Sequence, residues 1–522
     1  MGVIVAIAVC GASLAGGPAW GQQFTVEDRV LASVDPSGGV NEVPIWEATI
    51  AAGPTHVVTA FNMTPMHAQD LGYAVYDRTS GEWSEGIVPP GDGIVHREID
   101  PVLVYDSVAG HFLLIQLNDT LKRVEARTYQ ASTDTWADWT PVYTSPVGLD
   151  KPWVTPGEVR PGTPDQREFY VILQESVGKA YKLSYARSVD GGATWYGDEV
   201  KVDDEIVYGR FTFTACHEAR NAYFSFVGTN DEEETGIMFL EGVDDDTVPG
   251  QPALEFRQLQ HCGIGQPGGF DGLGGGDDIG VPMCTPIFIP LHRSGLQDYL
   301  PGTLWQVING AQIAVDPTDP DRLYVVYADT ESDTSSDVNI YFQVLTDRNI
   351  PGHPEAWQLG PRIQINDDGP PPFQGWEFDQ MLPSIAVDSQ GVIYITYYDE
   401  RDYGDLVTQI DQADGDELSK WDMRITYSLD GGQYWVASQE IVEPLDPGDT
   451  DSDPAYDEEL LLDDPNDPNK PGEYTGLAVF EGLIGEQAVR EVWSAFTGIS
   501  DDDPSMVHKS VIWSNRSYWT EE

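Results

Sequence analysis

The pattern Ser-x-Asp-Gly-Gly-x-(Thr/Tyr)-Trp occurs twice, as Ser188-Val189-Asp190-Gly191-Gly192-Ala193-Thr194-Trp195 and as Ser428-Leu429-Asp430-Gly431-Gly432-Gln433-Tyr434-Trp435. Each copy follows a strand-like run (Leu183 to Arg187, Met423 to Tyr427) and precedes another (Glu199 to Val202, Gln439 to Val442). The spacing therefore predicts a tight hairpin at each copy. Paired glycines supply the positive φ such a turn needs, Ser and Asp side chains bond neighbouring amides, and Trp plugs the turn onto the sheet. A chain that repeats one hairpin in two distant places is built from repeating sheets.

The surrounding sequence repeats with it. Units made of an apolar inner strand, a turn, a second apolar strand and a hairpin begin near Glu47, Asp100, Lys151, Arg210, Ala311, Leu382 and Glu473. Degenerate hairpins that keep the tryptophan fill the third position elsewhere, at Tyr76 to Trp83 and Ser132 to Trp136. Seven such units predict seven propeller blades. The last unit lacks a fourth strand, and the segment Val26 to Ser33 is unclaimed, so an N-terminal strand is expected to close the ring. Residues 22–522 read as one domain, with insertions at 260–300 and 444–472.

Composition agrees with an all-β chain: 53 Gly, 37 Pro and 11% aromatics punctuate 522 residues, without a long amphipathic helical run. The 87 acidic and 27 basic side chains leave a formal charge of −60. Nucleic acid and anionic membrane surfaces are thereby excluded as partners, because phosphate binding needs a basic face. Residues 1–21 read as a signal peptide: the apolar run Val3 to Ala15 is too short to span a bilayer and small residues follow it. Export as a secreted, extracellular or periplasmic monomer is expected, with no membrane span. Of the three cysteines left after cleavage, Cys262 and Cys284 could close the Gly-rich segment between them, while bonds to Cys216 stay open.

The paired boxes, with the structural positions Ser188, Asp190, Gly192, Trp195, Ser428, Asp430, Gly432 and Trp435, resemble the Asp box of sialidase-superfamily β-propellers. Asp150-Lys151-Pro152-Trp153-Val154, Tyr398 to Asp402 and Glu473 to Ala478 are similar to segments that recur in secreted Asp-box proteins. The resemblance implies a sialidase-like propeller acting on extracellular glycans. Its site would lie on the face where chain enters the inner strands, opposite the boxes.

That face carries Glu47, Asp100, Lys151, Trp153, Glu175, Arg210, Asp329 and Asp399, among others. A sialidase clamps the substrate carboxylate with three arginines, uses a Tyr activated by Glu as nucleophile, and uses an acid to protonate the leaving group. The resemblance assigns Arg97, Arg210 and Arg401 to the clamp, Tyr474 with Glu473 to the nucleophile and Asp100 to the acid, with Trp153 and Asp399 contacting substrate. Two features depart from the pattern. No Arg-Ile-Pro segment occurs, and sialidases resemble a six-bladed ring, so six blades are the alternative to seven.

Three functional classes follow: an exo-glycosidase, a non-catalytic glycan- or protein-binding propeller, and a polysaccharide lyase drawing on His67, His96 and Tyr474. No cofactor is required by any of them. Calcium is the one candidate, because Asp449, Asp451 and Asp453 alternate as in a calcium loop, although Pro454 stands where glycine is expected.

Overall fold

A computed structural model describes residues 22–27, 30–33, 45–63, 70–89, 98–159, 166–178, 180–217, 222–230, 234–244, 251–263, 283–292, 310–332, 337–348, 356–367, 380–399, 419–441, 460–462, 475–484, 487–500 and 509–521. The leader, 1–21, lies outside them. The described chain is all-β, with a single 3-10 turn at Ala131–Thr133. No helix among the described residues is long and apolar enough to cross a membrane.

Strands gather into seven sheets of four or more strands in chain order, antiparallel apart from the pairing of Gln260 and His261 with Ala356 and Trp357, and a separate two-stranded hairpin joins Lys201–Val202 to Glu205–Ile206. The first comprises Ile45–Ala52, His56–Met63, Asp70–Asp77 and Glu82–Ile87. The second runs Glu98–Asp106, His111–Asn118 and Arg123–Gln130, edged by Thr135–Trp136 and Thr140–Thr144; the third is Leu149–Val159, Arg167–Val177, Ala180–Ser188 and Tyr196–Glu199. The fourth contains Arg210–Cys216, Ala222–Thr229, Thr235–Asp244 and Leu254–Gln258; the fifth contains Gln312–Val315, Arg322–Thr330, Val338–Asp347 and Ala356–Leu359. Gln380–Val387, Ile393–Asp399, Ser419–Ser428 and Gln439–Glu440 form the sixth. The seventh takes Gly476–Ile484, Gln487–Ser500 and Lys509–Glu521 from the C-terminal end and Gln22–Val26 from the N-terminal end.

Burial grades across each sheet. Second strands are apolar at consecutive positions, and His111–Asn118 and Ile393–Asp399 are buried almost throughout, whereas the outer strand Glu82–Ile87 is largely exposed. A strand buried on both faces must have neighbouring sheets packed against each side. The clusters show this: Leu113 and Ile115 of the second sheet pack with Phe169, Val171 and Ala186 of the third, and Phe342 of the fifth packs with Ile395 and Ile425 of the sixth. Each such aliphatic or aromatic side chain contributes about 1.5–3 kcal/mol by leaving water.

The inner strands adjoin one another in cyclic order, first to second and onward to the seventh, and the seventh returns to the first. Gly476 abuts the backbone of Thr49 and Ile50, where a Cβ would collide. Thr49 Oγ1 accepts a bond from Leu103 N, Ser225 donates to Ala311 O, and Ser384 donates to Thr475 O, so adjacent inner regions are also stitched by side chains. Between the inner strands lies one cavity of about 260 Å³ to which all seven contribute, among them Thr49, Val102, Trp153, Phe213, Gln312, Ile385 and Leu477.

The N-terminal strand pairs along Ser517 to Glu521 through Gln22–Val26, earlier than the expected Val26 to Ser33. Val30–Ser33 then pairs separately with Ile512 to Ser514. Phe24 accounts for the placement, since its ring fills a nest of Tyr394, Tyr427 and Trp519. The 260–300 insertion adds Gln260–Gly263 and Met283–Pro286, which join the fifth sheet, and Phe288–Pro290, which joins the fourth. Cys284 is disulfide-bonded, Cys216 is free, and the register sets Cys262 directly opposite Cys284, as the expected closure of that loop requires. The 444–472 insertion contributes Leu460–Leu462, paired with Ser419 to Trp421.

Candidate functional site

Five of the seven inner strands share one irregularity at their entry end. The pairing register slips between Trp46 and Thr49, Ile99 and Val102, Asp150 and Trp153, Arg210 and Phe213, and Met381 and Ser384. At each bulge one residue takes positive φ: Glu47 (57°), Asp100 (56°), Lys151 (47°), Phe211 (51°) and Leu382 (51°), with Gly310 (83°) leading into the fifth inner strand. The left-handed conformation costs a non-glycine residue about 1–2 kcal/mol, so the surrounding sheets must impose it. Bulges of this kind re-aim side chains.

In the first three sheets the re-aimed side chains are charged and meet. Lys151 Nζ lies 3.0 Å from Glu47 Oε1 and 3.2 Å from Asp100 Oδ1. Asn62, at the end of the second strand of the first sheet, donates to Glu47 Oε2 at 2.5 Å and accepts from Asp100 N at 3.0 Å. Lys151 N reaches Asp100 Oδ2 at 3.4 Å. The side chains of Glu47 and Asp100 are 7% and 5% exposed, while that of Lys151 retains 16%. Two carboxylates thus share one ammonium at the entry to the axial cavity, because Thr49, Val102 and Trp153, two residues further along each strand, line that cavity. The bulge itself does not require charge, since Phe211 and Leu382 occupy the same position in the fourth and sixth sheets. Burying three charges costs several kcal/mol per ion before their mutual attraction offsets it, which marks the cluster as a functional candidate.

Asp100 is the expected acid that enters this cluster. In it Asp100 accepts hydrogen bonds from Lys151. Arg210 stands at the fourth bulge, but its guanidinium lies over the Tyr181 ring, 4.0 Å from the centroid. Trp153 packs edge-on to Phe213 at 4.6 Å and wedges between three core clusters. Asp399 is fully buried in register with Gln380 and Asp422. Arg97, Arg401, Glu473 and Tyr474, the calcium candidates Asp449, Asp451 and Asp453, and the lyase candidates His67 and His96 lie outside the described residues.

Other charged positions on this face are built into sheet ends. Glu175 accepts from Tyr143, Ser145 and Ser184 at 2.6, 2.5 and 2.5 Å and meets Lys182 at 3.2 Å. Burial alone would raise its pKa, but these bonds together bring it below the ordinary glutamate value. Asp329 accepts from His292 N and Arg362, whose guanidinium stacks on Tyr341.

The two Ser-x-Asp-Gly-Gly hairpins sit at the other end of the strands. Ser188 is in register with Phe169, which faces Pro156 of the inner strand, whereas Lys151 lies at that strand's beginning. Ser188 Oγ accepts from Gly192 N at 2.9 Å, Asp190 Oδ1 accepts from Thr194 N at 2.8 Å, and Trp195 Nε1 donates to Gly192 O at 3.0 Å. The second copy repeats the first two contacts through Ser428, Asp430 and Tyr434 N. Gly192 abuts Leu113 and Gly432 abuts Phe342, so each box locks its sheet onto the preceding one.

Sequence reasoning placed Glu47 and Lys151 on this face without joining them to Asp100, and it missed Asn62. No local signal marks Asn62, because its partners are distant in the chain.

No family model matches the chain, and no curated protein matches it. Among solved structures, the hemagglutinin-neuraminidase of parainfluenza virus 5 aligns with a TM-score of 0.38 and 9% identity, covering 74% of this chain and 92% of that one. A polysaccharide lyase described as an ulvan lyase gives 0.38 and 9%, covering 91% and 94%. The catalytic domain of an α-L-arabinofuranosidase of Coprinopsis cinerea gives 0.32 and 10%, covering 65% and 97%. Superpositions this loose establish no correspondence between residues.

Proposed function

We propose that this protein is a secreted, seven-bladed Asp-box β-propeller that recognises extracellular glycans at the mouth formed by Glu47, Asp100 and Lys151. Seven sheets whose inner strands neighbour one another in a cycle, with an N-terminal strand completing the last sheet, support the blade count. The observation that carries the functional reading is the convergence of three charged side chains, each on a strained bulge of a different sheet, above the axial cavity. Carboxylate and ammonium groups held rigidly side by side match the alternating donors and acceptors of sugar hydroxyls. In the catalytic form of the proposal, Tyr474 with Glu473 is the nucleophile, Asp100 the acid, and Arg97 and Arg401 bind the substrate, while Arg210 would have to leave the Tyr181 ring to join them.

Calorimetry of residues 22–522 against sialosides, uronate polysaccharides and neutral glycans, with product analysis of each mixture, tests the proposal. At least one class is expected to bind, and Asp100→Asn is expected to weaken it about tenfold, about 1.4 kcal/mol, at unchanged circular dichroism. Absence of binding to all classes would refute glycan recognition. Equal affinity in Asp100→Asn would move the site elsewhere.

A further inference from the structure

We propose that the protein carries a second ligand site, a cleft at its outer rim that takes a neutral oligosaccharide and shares no residue with the mouth formed by Glu47, Asp100 and Lys151. The cleft has a volume of about 550 Å³. That lies within the range of about 300–1,000 Å³ usual for small-molecule sites. It is lined by the outer strand Tyr196–Glu199 of the third sheet and the outer strand Leu254–Gln258 of the fourth, and the hairpin between those sheets adds Lys201 to Asp204.

The aromatic wall of the cleft is fixed before any ligand arrives. Leu254 N donates to Tyr185 Oη at 2.9 Å, and the Tyr185 ring meets Phe256 edge-on at 4.9 Å, so the third and fourth sheets are joined along this wall. Tyr185 and Phe256 are buried, while Tyr196, with its ring centroid 6.3 Å from that of Tyr185, is half-buried. An aromatic side chain that is neither sealed in the core nor fully in water suits the apolar C–H face of a sugar ring.

The polar lining calls for hydroxyls. Lys201 and Arg257 are already engaged, by Glu199 and Glu255, each at 3.3 Å. Among the described residues, by contrast, the side chains of Asp203, Asp204, Gln258 and Gln260 have no hydrogen bond or ion pair. Two carboxylates and two amides offer acceptors and donors to one ligand, and a hydroxyl, which both donates and accepts, satisfies either kind. A metal ion is a poorer fit, because no group of three or more His, Cys, Asp or Glu among the described residues is placed to hold one. A ligand rich in hydroxyls and carrying apolar ring faces answers both walls. This reading rests on the cleft's own lining and not on the mouth.

Calorimetry of residues 22–522 against cellohexaose, xylohexaose and mannohexaose tests it, with Asp100→Asn as the background so that the mouth does not contribute. At least one hexasaccharide is expected to bind this background with a stoichiometry of one. Adding Gln258→Ala and Gln260→Ala should weaken that binding at least tenfold. Adding Asp203→Asn and Asp204→Gly should also weaken it, and this pair keeps the fold, since Asn-Gly suits a turn with φ of 50° and 67°. Absence of binding by all three sugars in the Asp100→Asn background would overturn the second site, whether or not the parent binds glycans at the mouth. Undiminished affinity in cleft variants with unchanged circular dichroism would overturn it as well. Loss in the cleft variants alone, with Asp100→Asn equal to the parent, would leave the cleft standing and refute the mouth.

Discussion

Asp190 shows how much a single residue can reveal when its partners are close in sequence. Its carboxylate takes Thr194 N and Thr194 Oγ1 and contacts Ser188, all within four residues. Partial burial pushes the Asp190 pKa up, but the hydrogen bonds from Thr194 and Ser188 outweigh it and hold the group below the ordinary aspartate value. A depressed folded pKa gives stability that is present above the unfolded value, near 4, and lost as pH falls through the folded value. Asp190→Asn should therefore melt lower than the parent at pH 7 and lose less on acidification below about pH 4. Melting temperatures from pH 7 to pH 2 check this, and parallel curves for the two proteins would contradict it. The role of Asp190 was legible because a turn motif is a local bargain between side chain and amide. Asn62 was not, since its partner Glu47 lies on the neighbouring strand and Asp100 in the next sheet.

At the scale of elements, the hairpin Lys201–Val202 with Glu205–Ile206 carries Asp203 and Asp204 as its two loop residues, with φ of 50° and 67°. Two consecutive positive φ values define the turn that Asn-Gly fills best. Asp203→Asn with Asp204→Gly should stabilise the protein by about 1 kcal/mol, because glycine adopts this region without the penalty of about 1–2 kcal/mol borne by other residues. Urea unfolding measures the gain; an unchanged or lower midpoint would count against the strain argument. Such a turn is hinted at by composition, as are the Gly-Gly boxes. The inner-strand bulges are different. Phe211 and Leu382 are bulky residues that nothing local directs to positive φ, and their conformation follows from how a whole strand must bend where seven sheets crowd one cavity.

The whole molecule is joined at its ends. Gln22–Val26 supplies the fourth strand of the seventh sheet, and Phe24 is 6% exposed among Tyr394, Tyr427 and Trp519. These rings belong to the sixth and seventh sheets, so the N-terminal segment clamps two sheets at once. Phe24→Ala should cost about 3–5 kcal/mol, the usual penalty for emptying an aromatic core site. Deletion of residues 22–33 should cost more, exposing the edge of Lys509–Glu521 as well. Denaturant unfolding followed by tryptophan fluorescence reports both. A truncated chain as stable as the full one would show that the last sheet needs no N-terminal strand.

The sequence by itself determined the paired-glycine hairpins, the all-β class and the repetition of similar strand units. Alternation, turn chemistry and self-similarity act over a few residues or at a regular period, and so survive in one dimension. Only the tertiary structure decided which charged residues meet. Glu47, Asp100 and Lys151 are separated by about fifty residues from one to the next, and no local rule connects them. They come together because successive sheets each deliver one bulged inner strand to the same mouth, and the packing that forces those bulges exists only when neighbouring sheets are in place.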